Sequence, residues 1–340
     1  MAQNIYGVDI GTSNLKMCCN EKGRILNEKN IIAIANKKEM LAFGDEAYDM
    51  YEKAPENIEV SFPVKFGVIA DIENMQTLLV SFFNKINDDK KFSGNTDFYI
   101  AVPTDVTEVE KRAFYELVAD SKVKAKNIYI VDKPVADAIG AGLDVTKSKG
   151  IMVVNIGAET TEISVISLGG IVISKSIKIG GNKLDDSIIS IIRKEYNLVI
   201  GSKTAEGLKK ELGSAVKAEE KFAPGFGRNV LSGLPVSVQI SSDVIYSAIV
   251  DPLHSIMDSI KVILERTPPE LAADIIKDGI YVTGGTSNIS NLQQFINKET
   301  NLNVNIVENP AESVVRGLID VVNKTEFSKI PYTPQDKKYE

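Results

Sequence analysis

The chain is poor in the residues that build covalent or metal-based frameworks. Its 340 residues include two cysteines, one histidine and no tryptophan. The cysteines, Cys18 and Cys19, are adjacent, and a single adjacent pair does not make a disulfide framework. With His254 as its one histidine, the chain also lacks the ligands of a Cys/His zinc site. Thiols without an obvious partner fit a reducing compartment, so we expect a cytoplasmic protein.

Basic charge and long apolar runs are also scarce. The chain carries 39 Lys and Arg against 46 Asp and Glu, a net charge of -7, so broad nucleic-acid binding is not expected. No run reaches the roughly 18–20 apolar residues that span a bilayer. The first ten residues do not form a basic segment followed by a long apolar core, so we do not expect a signal peptide. Any membrane contact must therefore be local.

The chain does have strand-like runs that alternate with helical periodicity. Strands are predicted at 5–10, 15–19, 98–102, 127–131, 151–156, 162–167, 171–178 and 279–283. Helices are predicted at 72–85, 106–118, 183–196, 202–212, 244–265 and 290–299. Asp71 is the expected N-cap of the first helix, and Thr104 or Asp105 of the second. This order predicts an α/β protein with mixed sheets, and the length favours two domains.

The second half of the chain begins in the same way as the first. Residues 151–157 repeat the pattern of residues 5–11, which is an apolar strand followed by Asp or Asn, Ile and Gly. A second strand follows each time, and about 145 residues separate the two copies. This internal duplication predicts two similar domains with a cleft between them.

The turn over residues 11–14 has the composition of an anion-binding hairpin. A Gly-rich turn presents successive backbone N–H groups that together attract an anion. Two such turns that face each other across a cleft can grip a polyphosphate, and Asp9 is placed to hold a hydrated Mg²⁺. The pattern alone is short and is equally typical of an ordinary hairpin. Neither a P-loop nor a G-x-G-x-x-G motif that opens a helix is present.

Several motifs in a fixed order resemble those of the actin-like ATPase superfamily. They are GVDIGT at 7–12, PVADAIGAG at 134–142, NIGAETTE at 155–162 and VTGGT at 282–286. Other stretches are similar to the MreB family of bacterial actin-like proteins in particular. They are VP at 102–103, TEVEKRA at 107–113, VISLGGIV at 165–172 and TPPELAADI at 267–275. The likeness extends from about residue 5 to residue 322.

The resemblance implies an actin-like ATPase fold with duplicated mixed-sheet domains and a central nucleotide cleft. Domain I is expected over 1–145, with a small subdomain at about 30–75. Domain II is expected over 146–326, with a small subdomain at about 182–245. A disordered tail is expected over 327–340, because this segment is polar and holds two prolines.

The resemblance also implies a site for ATP or ADP with Mg²⁺. The expected nucleotide-binding residues are Gly11, Thr12, Ser13, Asn14, Gly157, Ala158, Thr160, Glu206, Lys209, Gly284, Gly285 and Thr286. Thr161 is a candidate catalytic residue, and Asp9 and Asn155 are expected to hold Mg²⁺ through water. Glu206 and Lys209 lie three apart on one predicted helix, so without the family they would be interpreted as a surface ion pair.

One departure from the family pattern falls on the catalytic base. In the family a Glu directly precedes the Pro of the connecting helix and activates the attacking water, whereas this chain has Lys133 there. A cationic Lys is a poor base at neutral pH, although it is able to pair with the γ-phosphate. We therefore predict that nucleotide binds and that hydrolysis is slow or absent. The alternative is that Thr161 or Asp132 rescues hydrolysis.

Two further departures lie in the second turn. Asn155 replaces the family's Asp, which removes a charge that helps to hold Mg²⁺. Ala158 and Glu159 replace two glycines, which is expected to restrict positive φ and to add a negative charge near the phosphates.

The expected function is that of a filament protein that polymerises with copies of itself and controls cell shape. Divergent copies of this kind resemble the MreB paralogues of wall-less bacteria. This resemblance implies a role in cell motility and paralogous filament proteins as partners. Two interpretations remain open for the segment that contains Lys90, Lys91 and Phe92. It is either a contact with the inner membrane or a solvated turn. The alternatives are a small-molecule kinase on the same core, or a chaperone of the heat-shock type, which would need a further domain.

Overall fold

A computed structural model describes residues 4–20, 23–88 and 96–334 of the chain. The strands are β1 Asn4–Ile10, β2 Asn14–Cys19, β3 Arg24–Lys29, β4 Ile32–Ala35, β5 Glu39–Phe43, β6 Ile58–Ser61, β7 Val64–Lys65, β8 Val68–Ile69, β9 Thr96–Val102, β10 Asn127–Asp132, β11 Ile151–Ile156, β12 Thr161–Ser167, β13 Gly170–Ile177, β14 Leu198–Val199, β15 Phe222–Asn229, β16 Pro235–Ser241, β17 Ile280–Thr283 and β18 Val304–Ile306. The helices are α1 Asp45–Met50, α2 Ile72–Ile86, α3 Glu108–Ala119, α4 Lys133–Gly140, α5 Gly181–Tyr196, α6 Ser202–Leu212, α7 Ser242–Arg266, α8 Pro269–Asp278, α9 Leu292–Thr300 and α10 Ser313–Asn323.

Two five-stranded sheets have the same topology, which confirms the predicted duplication. The first has the order β3-β2-β1-β9-β10 and the second β13-β12-β11-β17-β18. In each sheet an antiparallel meander of three strands is followed by two parallel strands. The fold is α/β with mixed sheets, as the alternating elements predict. Two small sheets, β5-β4-β6 and β14-β15-β16, lie inside the ranges expected for the small subdomains.

Apolar periodicity explains how the first sheet is covered. In β1 the side chains of Tyr6, Val8 and Ile10 are at most 2% exposed, and alternate positions of a strand share one face. Helix α2 buries a stripe at helical spacing against this face, formed by Met75, Leu78, Leu79, Phe82, Phe83 and Ile86. Cys18 and Cys19 on β2 are buried free thiols, and burial raises the pKa of Cys18 to about 12.

The two halves are joined where α4 crosses α10. A Cβ added at Gly140 would lie 1.7 Å from the carbonyl oxygen of Ser313, and one added at Gly317 would lie 1.7 Å from that of Ala136. The backbones therefore touch at this crossing, and only glycine permits the approach. The same two helices pack in one apolar cluster with residues from both large sheets, including Val131 of β10 and Val153 of β11.

The first expected N-cap is confirmed, whereas the second is wrong. The Asp71 side chain accepts from the N–H of Asn74. Helix α3 begins later than expected, because Thr107 and Glu110 form a reciprocal capping box. Thr104 and Asp105 instead bind the second half: Thr104 donates its hydroxyl to Glu162, and the Asp105 carboxylate accepts from the N–H of Ser176.

The expectation of a disordered tail from residue 327 is also corrected. Phe327 is 2% exposed, and Tyr332 exchanges backbone hydrogen bonds with Ile130 at the edge of the first sheet. The Tyr332 hydroxyl also donates to Asp132 at 2.7 Å. Residues 335–340 lie outside the described part of the chain, as do Lys90, Lys91 and Phe92. Within the described ranges, no helix is both long and apolar enough to cross a bilayer.

Candidate functional site

A cavity of about 1050 Å³ lies between the two halves and is lined by both hairpin turns. This volume is slightly above the usual range for small-molecule sites, which is about 300–1,000 Å³. Every predicted nucleotide-binding residue lines it: Gly11, Thr12, Ser13, Asn14, Gly157, Ala158, Thr160, Glu206, Lys209, Gly284, Gly285 and Thr286. The structure therefore brings together residues that are up to 275 positions apart in the sequence.

The first turn closes through a backbone hydrogen bond from Gly11 N–H to the carbonyl of Asn14, at 3.0 Å. A Cβ at Gly11 would lie 2.8 Å from that carbonyl oxygen, so the turn requires glycine there. The Asn30 side chain donates to the Gly11 carbonyl at 2.9 Å and holds the turn from behind. The Thr12 hydroxyl accepts from the N–H of Gly67, which ties the turn to the β7–β8 hairpin.

The second turn repeats this geometry from the other half. Gly157 N–H donates to the Thr160 carbonyl at 2.8 Å, which is the same three-residue spacing as in the first turn. Neither Ala158 nor Glu159 has a positive φ. The restriction expected from the loss of two glycines therefore causes no strain, because this turn does not use the left-handed region at these positions.

Thr161 does not belong to the cleft, which corrects its prediction as a catalytic residue. It is the first residue of β12, it is fully buried, and it is not among the side chains that line the cavity. Its hydroxyl donates to the carbonyl of Ile179 at 2.7 Å. Thr160, the last residue of the turn, lines the cavity, whereas Thr161 begins the buried strand and packs inside.

Glu206 and Lys209 do not pair with each other. Glu206 accepts from the hydroxyl of Tyr48 at 3.0 Å and pairs with Lys210 at 2.7 Å. Burial opposes ionisation of Glu206, but the hydrogen bond from Lys210 and the charges of Lys29 and Lys210 outweigh it and lower its pKa. Lys209 donates to Asp185 at 2.7 Å, and burial raises the pKa of Asp185 to about 6.

Glycine is required beside the adenosine end of the predicted site. Gly284 has φ 83°, and a Cβ there would lie 2.3 Å from the carbonyl oxygen of Ile156. The Thr286 hydroxyl donates to the Gly157 carbonyl at 2.8 Å, which fixes this loop against the second turn. Gly285 has open space around its Cα, with one neighbouring atom, Ala311 Cβ, at 4.0 Å from an added Cβ.

Two ammonium groups face one carboxylate at the floor of the cleft. Lys16 lies opposite Asp9 in the β1–β2 register, and its Nζ is 2.9 Å from Asp9 Oδ2. Lys133 opens α4 and places its Nζ 3.4 Å from Asp9 Oδ1. Burial opposes the charge of Asp9, but the charges of Lys133 and Lys16 outweigh it and lower its pKa. Burial opposes the charge of Lys133, but the charges of Asp9, Glu162 and Asp137 outweigh it and raise its pKa.

A second buried carboxylate organises the far side of the floor. Asp137 accepts from Asn155 at 2.7 Å, from Thr283 at 2.5 Å and from Ser313. Its pKa is raised by burial, which these hydrogen bonds partly oppose. Glu162 lies nearby, and burial raises its pKa against the charge of Lys133. Sequence reasoning missed both groups, although a carboxylate inside an apolar run was a usable signal.

Comparison with known proteins places the chain in a family. The family described as MreB/Mbl protein matches residues 3–330. The chain belongs to the MreB/Mbl family. Cell shape-determining protein Mbl of Bacillus subtilis (strain 168) is 38% identical over 329 residues, 95% of this chain and 98% of that protein. Cell shape-determining protein MreB of Escherichia coli (strain K12) is 36% identical over 323 residues, 93% of this chain and 92% of that protein.

A solved structure of a relative shares the whole fold. Crystalline MreB5 of Spiroplasma citri bound to ADP is 34% identical, with a TM-score of 0.90 over 96% of this chain and 98% of that chain. The same protein bound to AMPPNP has a TM-score of 0.91. The predicted family and the actin-like fold are both confirmed.

In this MreB-family chain, contacts between the two halves close the mouth of the cleft. Glu159 of the second turn accepts from the N–H of Phe66 at 2.6 Å. Glu52, just after α1, accepts from the N–H of Ser202 at the start of α6, at 3.2 Å. With the bond from Tyr48 to Glu206, these contacts join α1 to α6, and the β7–β8 hairpin to the second turn, across the cleft.

The residues of this MreB-family site do not fit a magnesium ion held directly by Asp9. Both of its carboxylate oxygens already face ammonium groups, those of Lys16 and Lys133. Asn155 is neutral, so it adds no negative charge that would offset the two ammonium groups. Within the ranges that the structure describes, no group of three or more His, Cys, Asp or Glu side chains is arranged to hold a metal.

Proposed function

We propose that this chain binds ATP or ADP in the cleft and polymerises with copies of itself as an MreB-type cytoskeletal protein that controls cell shape. The carrying observation is the pair of matching turns at residues 11–14 and 157–160, which face one cavity. Support comes from the relatives, which are named cell shape-determining proteins, and from MreB5, which was crystallised with ADP and with AMPPNP. No observation on the described residues favours the alternative of a small-molecule kinase.

Nucleotide binding is tested by filling the adenosine end of the cavity. Gly285→Phe adds a ring at a position whose backbone tolerates a side chain, so we expect the affinity for fluorescent ATP to fall at least about tenfold. Gly207→Phe is the matched control, because Gly207 is exposed on α6 and lies outside the cavity. Equal affinities for the two variants would contradict the proposed site.

Polymerisation is tested by ultracentrifugal pelleting with ATP, with ADP and without nucleotide. The proposed filament fails if the protein stays monomeric at high concentration under all three conditions. Partnership with paralogous filament proteins, and a role in motility in wall-less cells, extend this proposal. Both are tested by co-pelleting with a paralogue from the same source.

Weak or absent hydrolysis is part of the proposal. Lys133 is kept protonated beside Asp9, so it cannot accept a proton from an attacking water. Neither residue considered as a rescue lines the cavity, since Thr161 bonds Ile179 and Asp132 accepts from Tyr332.

A single-turnover measurement of phosphate release tests this. Lys133→Glu is expected to raise the rate at least about tenfold, and Lys133→Gln is the neutral control. A wild-type protein that already releases phosphate as fast as Lys133→Glu would overturn the proposal.

Contact with the inner membrane, and with it a membrane-associated cytoplasmic location, stays a prediction that rests on Lys90, Lys91 and Phe92. Basic residues next to an aromatic residue in the sequence are typical of a contact with anionic lipid. Co-sedimentation with anionic liposomes tests it, and a variant with all three residues changed to Ser is expected to remain in the supernatant. Equal binding by wild type and variant would show that this loop is not the contact.

A further inference from the structure

The floor of the cleft already contains the positive charge that a polyphosphate needs. Lys16 and Lys133 both line the cavity, and Asp9 lies between them with 3% of its side chain exposed. The side chains of Lys16 and Lys133 are 12% and 18% exposed, so both ammonium groups are largely withdrawn from bulk water. Charges held in such a site are screened little by salt.

The Lys133 ammonium is incompletely satisfied within the described structure. The Lys133 Nζ lies 3.4 Å from Asp9 Oδ1, which is within ion-pair distance. Asp9 Oδ1 has no hydrogen-bond partner, so the contact is an ion pair without the geometry of a hydrogen bond. Lys133 forms no hydrogen bond with any other described residue. An ammonium carries three donors, so Lys133 has N–H groups available for an anion at the cavity floor.

The remaining groups at the floor are already engaged by protein donors. Asn155 is neutral, and Glu162 accepts hydrogen bonds from the N–H and the hydroxyl of Thr104. Asp137 also accepts three hydrogen bonds from protein donors, so its oxygens are directed away from a ligand. A dication brought to Asp9 would meet the repulsion of two ammonium groups instead of an open carboxylate pair.

We propose that the Lys133 ammonium takes the electrostatic place of Mg²⁺, so that this chain binds free nucleoside di- and triphosphates almost independently of divalent cations. This inference rests on the proposed nucleotide binding. Mg²⁺ ordinarily joins a protein to a nucleotide through one or two carboxylates and the phosphate oxygens. Here Lys133 and Lys16 contact the phosphates, and Asp9 fixes both ammonium groups.

The test compares the affinity for fluorescent ATP in EDTA with that in excess Mg²⁺. The wild-type affinity is expected to change by less than about threefold, whereas Lys133→Gln is expected to lose at least about tenfold in EDTA and to recover in Mg²⁺. Lys147→Gln removes an exposed lysine that does not line the cavity and is the matched control, with no expected change. Thermal unfolding of each variant verifies that it is folded.

A second readout follows the metal itself. Mn²⁺ paramagnetic resonance of the wild-type protein with ATP is expected to show no more bound Mn²⁺ than ATP alone binds, whereas Lys133→Glu with ATP shows additional bound Mn²⁺. A loss of at least about tenfold in wild-type affinity in EDTA would overturn the inference and leave the proposed nucleotide site intact. A wild-type protein that binds nucleotide in neither buffer would overturn both.

Discussion

The carboxylate of Glu159 accepts a hydrogen bond from the backbone N–H of Phe66, with an Oε2···N distance of 2.6 Å. Glu159 belongs to the second phosphate turn and Phe66 to the β7–β8 hairpin of the other half, so this bond spans the cleft. The residue that replaces a glycine of the family pattern therefore contacts the opposite half.

Removal of this bond is expected to speed nucleotide release. A hydrogen bond to a charged group contributes about 1.5–3 kcal/mol, less at an exposed site, so Glu159→Ala, which removes the acceptor, is expected to raise the dissociation rate of fluorescent ADP about threefold to tenfold. Stopped-flow displacement measures this rate. Glu116→Ala, on the exposed face of α3, is the control. Identical rates for wild type and Glu159→Ala would show that the bond does not limit release.

The helix crossing that joins the halves is expected to tolerate no side chain. Gly140→Ala forces a Cβ into the Ser313 carbonyl, so we expect the free energy of unfolding to fall by about 2 kcal/mol or more. Gly207→Ala, on exposed α6 with open space around it, is expected to raise it by about 0.5–1 kcal/mol. Urea denaturation of both variants measures the two values, and changes of the same sign would contradict this account.

The stability contribution of Asp185 is expected to depend on pH. Burial raises its pKa to about 6 against the opposing charge of Lys209, whereas an unfolded Asp titrates near its ordinary value of 3.8. Between these values the folded state binds more protons than the unfolded state, so the free energy of unfolding falls as pH rises through this window.

The measurement compares wild type with Asp185→Asn, which lacks this titration. Relative to the variant, the wild-type free energy of unfolding is expected to fall by up to about 3 kcal/mol between about pH 4 and pH 6.5. Chemical denaturation at a series of pH values tests this, and parallel profiles would refute it.

The two adjacent threonines of the second turn are expected to behave differently. Thr161→Val removes the hydrogen bond to Ile179 and is expected to cost about 1 kcal/mol of stability without a change in nucleotide affinity. Thr160→Val alters the cavity wall and is expected to lower the affinity with little loss of stability. Titration with fluorescent ATP measures the affinity of each variant, and thermal unfolding measures its stability. A loss of nucleotide affinity in Thr161→Val would show that Thr161 does belong to the site.

Sequence patterns predicted the strands and helices in which apolar residues recur at a regular spacing. The strand Ile151–Ile156 and the helix Ser202–Leu212 have the predicted bounds, because a mostly apolar run and a clear helical stripe define them. Short strands such as Val64–Lys65 were missed, because two residues carry no period. The crossing of α4 and α10 was also missed, since close backbone approach is set by tertiary packing.

The sequence predicted which turns form the site, but not which charged side chains pair with each other within it. Motif order placed Gly11 and Gly157 at one cavity, because duplicated hairpins face each other in this architecture. The partners of Lys209 and of Lys133 are 24 and 124 positions away, and no local pattern gives such contacts. Thr161 was placed wrongly because the turn ends at Thr160 and Thr161 already begins the buried strand.

The reactivity of the two thiols reports on the structure of one half of the molecule. Cys18 and Cys19 are the chain's two cysteines, and both are 2% exposed on β2 of the first sheet. A thiolate is the reactive species, so the raised pKa of Cys18 makes the folded protein slow to alkylate. The rate at which a thiol reagent labels the protein therefore measures the opening of the first sheet, while the second sheet contributes no signal.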